Sequence, residues 1–170
     1  MKFLKEKFKL KKYQLFLSKI AKADVSNAGI AKLLKNVDGL REAYTAGGSP
    51  KHTFDLVGSQ YEAITENNVN LNIGILSTQS NLHFAGVLFH EYRHAFQYSQ
   101  PYTIGGVNYN SRFDAWTELY GEGYAGERDR WDMMELDAYS TQYRFGDNEP
   151  YVLERMNKYY KYMLQSKWKR

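Results

Sequence analysis

The chain contains no cysteine. That absence removes disulfides, thiolate metal sites, iron–sulfur clusters and cysteine nucleophiles, and it leaves the redox compartment open. Any metal site must be built from His, Asp and Glu. Long apolar runs are also missing: no window holds the 18 or so apolar residues that a membrane span requires. The basic start, Met1 to Lys12, is followed by the apolar run Tyr13–Leu17, but Lys19 and Lys22 interrupt it. A signal peptide needs an unbroken stretch of about 7–15 apolar residues. Ala21-Lys22-Ala23 does have the small-x-small form of a cleavage site, yet the spacing of Phe3, Leu4, Phe8, Leu10, Leu15 and Ile20 suits an amphipathic helix better. The expectation is a protein without a membrane span, cytoplasmic or delivered, for instance with a virion. Repeats and low-complexity tracts are absent too.

What is present is one domain's worth of ordinary globular sequence. The 170 residues are 43% apolar and 25% charged, with tyrosine (15) well ahead of phenylalanine (9) and tryptophan (3). A chain this long can bury roughly 70% of its unfolded surface. The net charge of +4 hides a segregation: residues 1–50 and 151–170 are basic, and residues 111–150 are acidic. Basic ends could serve nucleic acid, anionic lipid or a protein assembly partner. They also suit Lys-solvated terminal helices lying against an acidic body, which makes nucleic acid the weaker expectation.

Along the chain, residues 3–22 read as a Lys-rich helix. A second helix starts at Ser26-Asn27 and runs through Ile30, Leu33, Leu34, Val37 and Leu40. After the break Ala46-Gly-Gly-Ser-Pro50 the period changes. Thr53–Val57, Tyr61–Thr65 and Val69–Leu76 read as strands, the last alternating apolar with Asn or Gly, and Glu66-Asn-Asn68 as a turn. Helical spacing returns from Leu82 to Tyr98, and Gln100-Pro101 with Gly105-Gly106 open a loop. Ser111-Arg-Phe-Asp114 has the form of a capping box for a helix to about Tyr120. Further helices span roughly Glu127–Tyr143 and Tyr151–Trp168. Helices, a small sheet, then helices predict an α+β domain. The expected organisation is a Lys-rich helical segment over 1–48, a core over 49–147 and a basic C-terminal helix over 148–170.

One motif dominates the chemistry: His90-Glu91-Tyr92-Arg93-His94, inside a stretch free of Pro and Gly. Four-residue spacing puts both histidines on one helix face, a turn apart, where they can share a zinc ion at about 2.0–2.1 Å. Glu91 is turned too far round to bind the same ion but can reach water on it, the place for a general base. With 4 His and 11 Glu in the chain, chance yields the pattern roughly 0.6% of the time.

A catalytic site needs a third protein ligand, and no histidine follows His94. The ligand should be a downstream carboxylate. Glu135 in Met133-Met-Glu-Leu-Asp-Ala-Tyr139 is the leading candidate, with Glu118, Glu122, Glu127 and Asp132 as alternatives. Asp137 points about 160–200° away from Glu135 on the same helix and cannot replace it. Ala138 is small enough to let the two helices approach. Two imidazoles and a carboxylate suit Zn2+.

His-Glu-x-x-His with a downstream Glu-x-Asp-Ala-Tyr resembles the gluzincin type of zincin metallopeptidase. More narrowly, His-Glu-Tyr-Arg-His-Ala-Phe-Gln paired with Glu-Leu-Asp-Ala-Tyr is similar to small bacterial and phage-associated metallopeptidases, including peptidase-like toxin domains. The second motif also resembles the Glu-x-x-Ala-Asn segment of peptidases that cleave repressors, with Tyr139 where that group has Asn. The resemblance spans roughly residues 55–145. It implies a zincin-like fold, a small mixed or antiparallel sheet packed on the His-Glu-x-x-His helix, with an edge strand above that helix binding a peptide or protein substrate.

Val69–Leu76 stands directly before the metal helix, so its polar face, Asn70 and Asn72, is the expected substrate-binding strand. In the expected reaction the metal activates water and polarises a peptide carbonyl, and Glu91 carries the proton to the leaving amine. Tyr139, one turn beyond Glu135, is the first candidate for an oxyanion donor, with Tyr143, Tyr98 and His83 behind it. His52 has no assigned role. Two other readings stand beside the peptidase. One is a structural or interaction protein that keeps the metal site without proteolysis, although such a site has no need of Glu91. The other is a nucleic-acid module using the basic ends, where Tyr159-Tyr160-Lys-Tyr162 sets aromatics among cations.

Overall fold

A computed structural model describes residues 22–55, 58–121, 130–147 and 149–165 of the chain. The Lys-rich stretch predicted as helix over 3–22 lies outside these but for its last residue, as do Glu122, Glu127, the end of the first predicted strand and the last residues of the C-terminal helix. The described residues form seven helices and two small sheets, an α+β architecture. In chain order the elements are α1 (Asn27–Asn36), α2 (Leu40–Ala46), β1 (His52–Thr53), β2 (Ala63–Thr65), β3 (Val69–Leu71), α3 (Ile73–Leu76), α4 (Asn81–Ser99), β4 (Tyr102–Ile104), β5 (Val107–Tyr109), α5 (Arg112–Tyr120), α6 (Arg130–Phe145) and α7 (Pro150–Gln165). No described helix is long and apolar enough to cross a membrane.

The core forms around α4. Phe84, Ala85, Val87, Leu88, Phe89 and Tyr92 of this helix pack with Ile30 and Leu33 of α1, Leu40 of α2, and Val69 and Leu71 of β3. Each large apolar side chain taken out of water there is worth about 1.5–3 kcal/mol. Because α4 is covered by α2, α6 and the sheet, it is buried on nearly all faces, and even its polar residues His90, Glu91, His94 and Gln97 are inside. Serine caps start the helices where the sequence predicts them: the hydroxyl of Ser80 accepts from the His83 amide at 3.1 Å, and Ser111 from the Asp114 amide at 3.0 Å.

Four predicted elements differ. The strand expected over Thr53–Val57 is β1, His52–Thr53, and Phe54 and Asp55 lie outside it. The single helix expected from Ser26 to Leu40 is two, because the chain turns at Gly39, whose φ of +83° suits a residue without a Cβ. The strand expected over Val69–Leu76 ends at Leu71. Asn72 caps α3 instead, its side-chain oxygen accepting from the Ile75 amide at 3.2 Å, and a cap ends the alternation. The loop expected at Gly105-Gly106 is the two-residue turn of a β4–β5 hairpin, with both glycines at positive φ, as such turns require.

In the three-stranded sheet β3 is central, parallel to β1 and antiparallel to β2. The register Thr65↔Val69 closes through the predicted turn at Glu66–Asn68. The outer strand nearest His90 and His94 is therefore β2, not β3.

Candidate metal centre and cleft

Helix spacing brings His90 and His94 together on α4: their Nε2 atoms are 3.0 Å apart. The α6 helix packs against α4 with Ala138 fully buried. From α6, Glu135 reaches both rings, Oε1 at 3.3 Å from His94 Nε2 and Oε2 at 3.6 Å from His90 Nε2. Ligands held 2.0–2.1 Å from a tetrahedral ion are about 3.3 Å apart, so this spacing fits a zinc-sized ion. Of the predicted third ligands among the described residues, Glu135 is the one that converges. Asp132 is buried on the same helix but outside the group, and Glu118 is exposed, accepting from the Tyr109 hydroxyl at 3.1 Å.

The surroundings fix which nitrogen faces the cluster. Gln97 Nε2 donates to the Met134 carbonyl at 3.1 Å and to Asp137 Oδ2 at 2.9 Å. Its amide oxygen is thereby turned to His94 Nδ1, 2.9 Å away. A carbonyl only accepts, so Nδ1 carries a proton, and in the neutral ring it is Nε2 that presents its lone pair inward. Asp137 points away from Glu135, as its spacing demands, and takes a two-pronged ion pair from Arg93 at 2.6 and 3.0 Å. His90 is positioned by packing: its ring stands edge-on to Tyr139, with centroids 4.4 Å apart.

Side chains within the cluster shift one another's ionisation. Burial alone would lower the His94 pKa, but the charge and hydrogen bond of Glu135, with Glu91 and Gln97, raise it to about 9. Burial opposes ionisation of Glu135, and the two imidazoles outweigh it, holding its carboxyl well below the usual range. The proton held on His94 beside an ionised Glu135 is the one a divalent ion bound there would displace. Burial, then the Glu135 charge, pushes the Tyr139 phenol up, so it remains a hydrogen-bond donor.

Glu91 is buried beside the cluster and faces Thr65 of β2, whose hydroxyl donates to Oε2 at 2.6 Å. A cleft of about 640 Å³ opens over the cluster, walled by β2 on one side and by Tyr151, Arg155, Lys158 and Tyr159 of α7 on the other. A second chamber of about 700 Å³ adjoins it and shares Glu62, Tyr139, Tyr151 and Arg155.

Not every expected residue reaches the cleft. Asn70 lies on the central strand and accepts from the Thr53 hydroxyl. Asn72 is buried, and besides capping α3 it donates to the carbonyls of Ser59 at 3.2 Å and Tyr61 at 3.1 Å. Both therefore serve the sheet and the segment leading into β2, and the strand that lines the cleft is β2. Tyr98 lines the cleft, whereas Tyr143 is exposed outside it. His83 belongs to another cluster: Nε2 lies 2.8 Å from Glu62 and Nδ1 3.4 Å from Asp147. His52 meets the Tyr92 hydroxyl at 2.8 Å on the core side of α4. Thr65 had no motif to mark it; Arg93, Gln97 and Asp137 lie inside the two quoted motifs, but their roles were not legible there, since each acts across tertiary contacts.

Comparison with protein-family models, with curated proteins and with solved structures finds no match.

Proposed function

We propose that the chain is a zinc-dependent metallopeptidase of zincin-like fold, cleaving peptide bonds with Glu91 as general base. The observation that carries this reading is the convergence of His90, His94 and Glu135 from two helices, with Glu91 next to them but outside the ligand set. An ion held by those three residues would polarise a substrate carbonyl and lower the pKa of a bound water. Glu91, oriented by Thr65, takes the water proton and returns it to the leaving amine. Tyr139, protonated and packed on His90, is the candidate donor to the negative charge that develops on the carbonyl oxygen. Gln97 keeps His94 in the tautomer that binds metal, and Arg93–Asp137 fixes Gln97 in turn.

The test is elemental mass spectrometry on zinc-loaded wild type, Glu135→Ala and Glu91→Gln, paired with peptide hydrolysis. One zinc per chain is expected in wild type and Glu91→Gln, with strong loss in Glu135→Ala, and hydrolysis in wild type alone. A wild type that stays metal-free after zinc is added back would overturn the reading.

A further inference from the structure

A second group of ionisable side chains adjoins the cleft, and the proposed reaction does not use it. His83 of α4, about two turns before His90, is 7% exposed, and Asp147, between α6 and α7, is 1% exposed. Nε2 of His83 lies 2.8 Å from Glu62 Oε1, and Nδ1 lies 3.4 Å from Asp147 Oδ2. Carboxylate oxygens only accept, so both ring nitrogens carry protons and the ring is an imidazolium between two carboxylates. Bonds of this kind are roughly twice as strong as neutral ones. Removing one member leaves a buried charge without its partner, so the three act as a unit.

Each partner is anchored to a different element. Glu62 immediately precedes β2, and its backbone carbonyl accepts from the Asn72 amide at 2.9 Å, which fixes it to the sheet. Asp147 is held by Gln142 of α6, whose Nε2 donates to Oδ2 at 2.7 Å. It also sits against Gly86 of α4, where a Cβ would lie 2.3 Å from that same oxygen. Glycine weakens a helix interior, and the close approach of Asp147 requires one here. Glu62 Oε2 accepts from the Tyr151 hydroxyl of α7 at 3.2 Å. The Tyr151 ring stands 5.8 Å from the His83 ring and 6.3 Å from that of Tyr139, which packs on His90. The α7 helix packs on α6, and it meets the strand side of the cleft through Tyr151.

We infer that His83 is a positioning residue: through Glu62 and Tyr151 it clamps α7 to the strand side of the cleft and sets the width of the groove in which a peptide lies. The role in peptide binding rests on the peptidase reading, and the clamp itself does not. Asp147 completes the clamp from behind. It is buried outside the lining of both chambers, so it touches no substrate, yet it faces the same imidazolium that holds Glu62.

The experiment uses zinc-loaded full-length protein. The chain has no cysteine, so Asn67→Cys and Asn157→Cys introduce a lone pair of spin-label sites. Asn67 is exposed in the turn after β2 and Asn157 is exposed on α7, so pulsed dipolar spectroscopy reads the separation of the walls. Three substitutions loosen the clamp gently. Tyr151→Phe removes one hydroxyl, Glu62→Gln leaves one acceptor oxygen for two donors, and Asp147→Asn removes a charge at constant size. All three are expected to lengthen and broaden the distance. KM for a peptide should rise about ten-fold, on the scale of a bond to a charged group, with kcat and zinc content nearly unchanged. Asp147→Asn combined with Tyr151→Phe should do no more harm than the worse of the two alone, because both break one unit. Unchanged distances, additive effects, or a fall in kcat or zinc content in place of the rise in KM would overturn the inference. Peptide hydrolysis with variants indistinguishable from wild type would leave the peptidase reading standing without the clamp. Distances that lengthen in a chain that cleaves nothing would keep the clamp and remove the peptidase reading.

Discussion

The hydroxyl of Thr65 lies 2.6 Å from Glu91 Oε2, joining the outer strand of the sheet to the base on α4. A hydroxyl has one proton to give, and the carboxylate is its nearer acceptor, the Glu91 backbone carbonyl lying at 3.2 Å, so the bond orients the Glu91 carboxylate. Thr65→Val keeps the shape and removes the donor. We expect kcat to fall about ten-fold, or about 1.4 kcal/mol, with KM nearly unchanged and Thr65→Ser recovering most of the loss. A matching fall in zinc content would instead show that Thr65 holds the metal helix itself.

Gln97 is expected to matter for affinity rather than for chemistry. Replacing it with Leu leaves His94 Nδ1 unaccompanied and frees the ring to turn. Zinc affinity, measured by competition with a chromophoric chelator, should weaken about 10- to 100-fold, the usual cost of losing such a partner. Unchanged affinity would mean that packing alone orients the ring.

Stability should depend on pH through His83. Burial works against its charged form, but the hydrogen bonds and charges of Asp147 and Glu62 outweigh it and raise the pKa from 6.5 to about 10. The folded chain therefore holds this proton more tightly than the unfolded chain does. The stabilisation is complete below pH 6.5 and drains away as the pH rises through 10. The unfolding midpoint of the metal-free protein should drop over that range, and more steeply than in His83→Gln, which removes this contribution and leaves that of His94. Superimposable pH profiles for the two proteins would exclude the assignment.

Asn72 separates scaffold from substrate contact. Asn72→Ala deletes the α3 cap and two bonds to the carbonyls ahead of β2. A loss of about 1–3 kcal/mol in urea denaturation is expected, with kcat/KM per folded, zinc-loaded molecule unchanged. A selective rise in KM would return Asn72 to the binding surface.

How far the sequence revealed this site depends on how local each interaction is. His90, Glu91 and His94 share one helix, so their spacing alone predicts their geometry. Glu135 required a second helix and a small residue, Ala138, and both left a trace in the sequence. Thr65 left none, and Gln97 closes the quoted motif without showing its role, because Thr65 finds Glu91 and Gln97 finds Met134 only after the sheet and α6 have packed on α4. The alternation from Val69 to Ile75 misled for a related reason. Strand periodicity and a side-chain cap compete at Asn72, and the carbonyls of Ser59 and Tyr61 decide for the cap. The β4–β5 hairpin stands where the sequence reading expects a loop, although its signal is local: Gly105-Gly106 is flanked by Tyr-Thr-Ile and Val-Asn-Tyr, and two-residue glycine turns favour that pairing.

Tyr151 and Glu62, whose side chains meet across the cleft, are 89 residues apart in the chain. Closing so long a loop adds little to its entropic cost, which grows only with the logarithm of length, but it imposes an order in time. The α4 helix has its own serine cap and can form from local sequence. The cleft cannot, because its second wall exists only after α7 has folded back beside β2. A nascent chain would thus own its imidazole pair long before it owned a place to bind a peptide, and a chain cut ahead of Pro150 would never acquire that second wall.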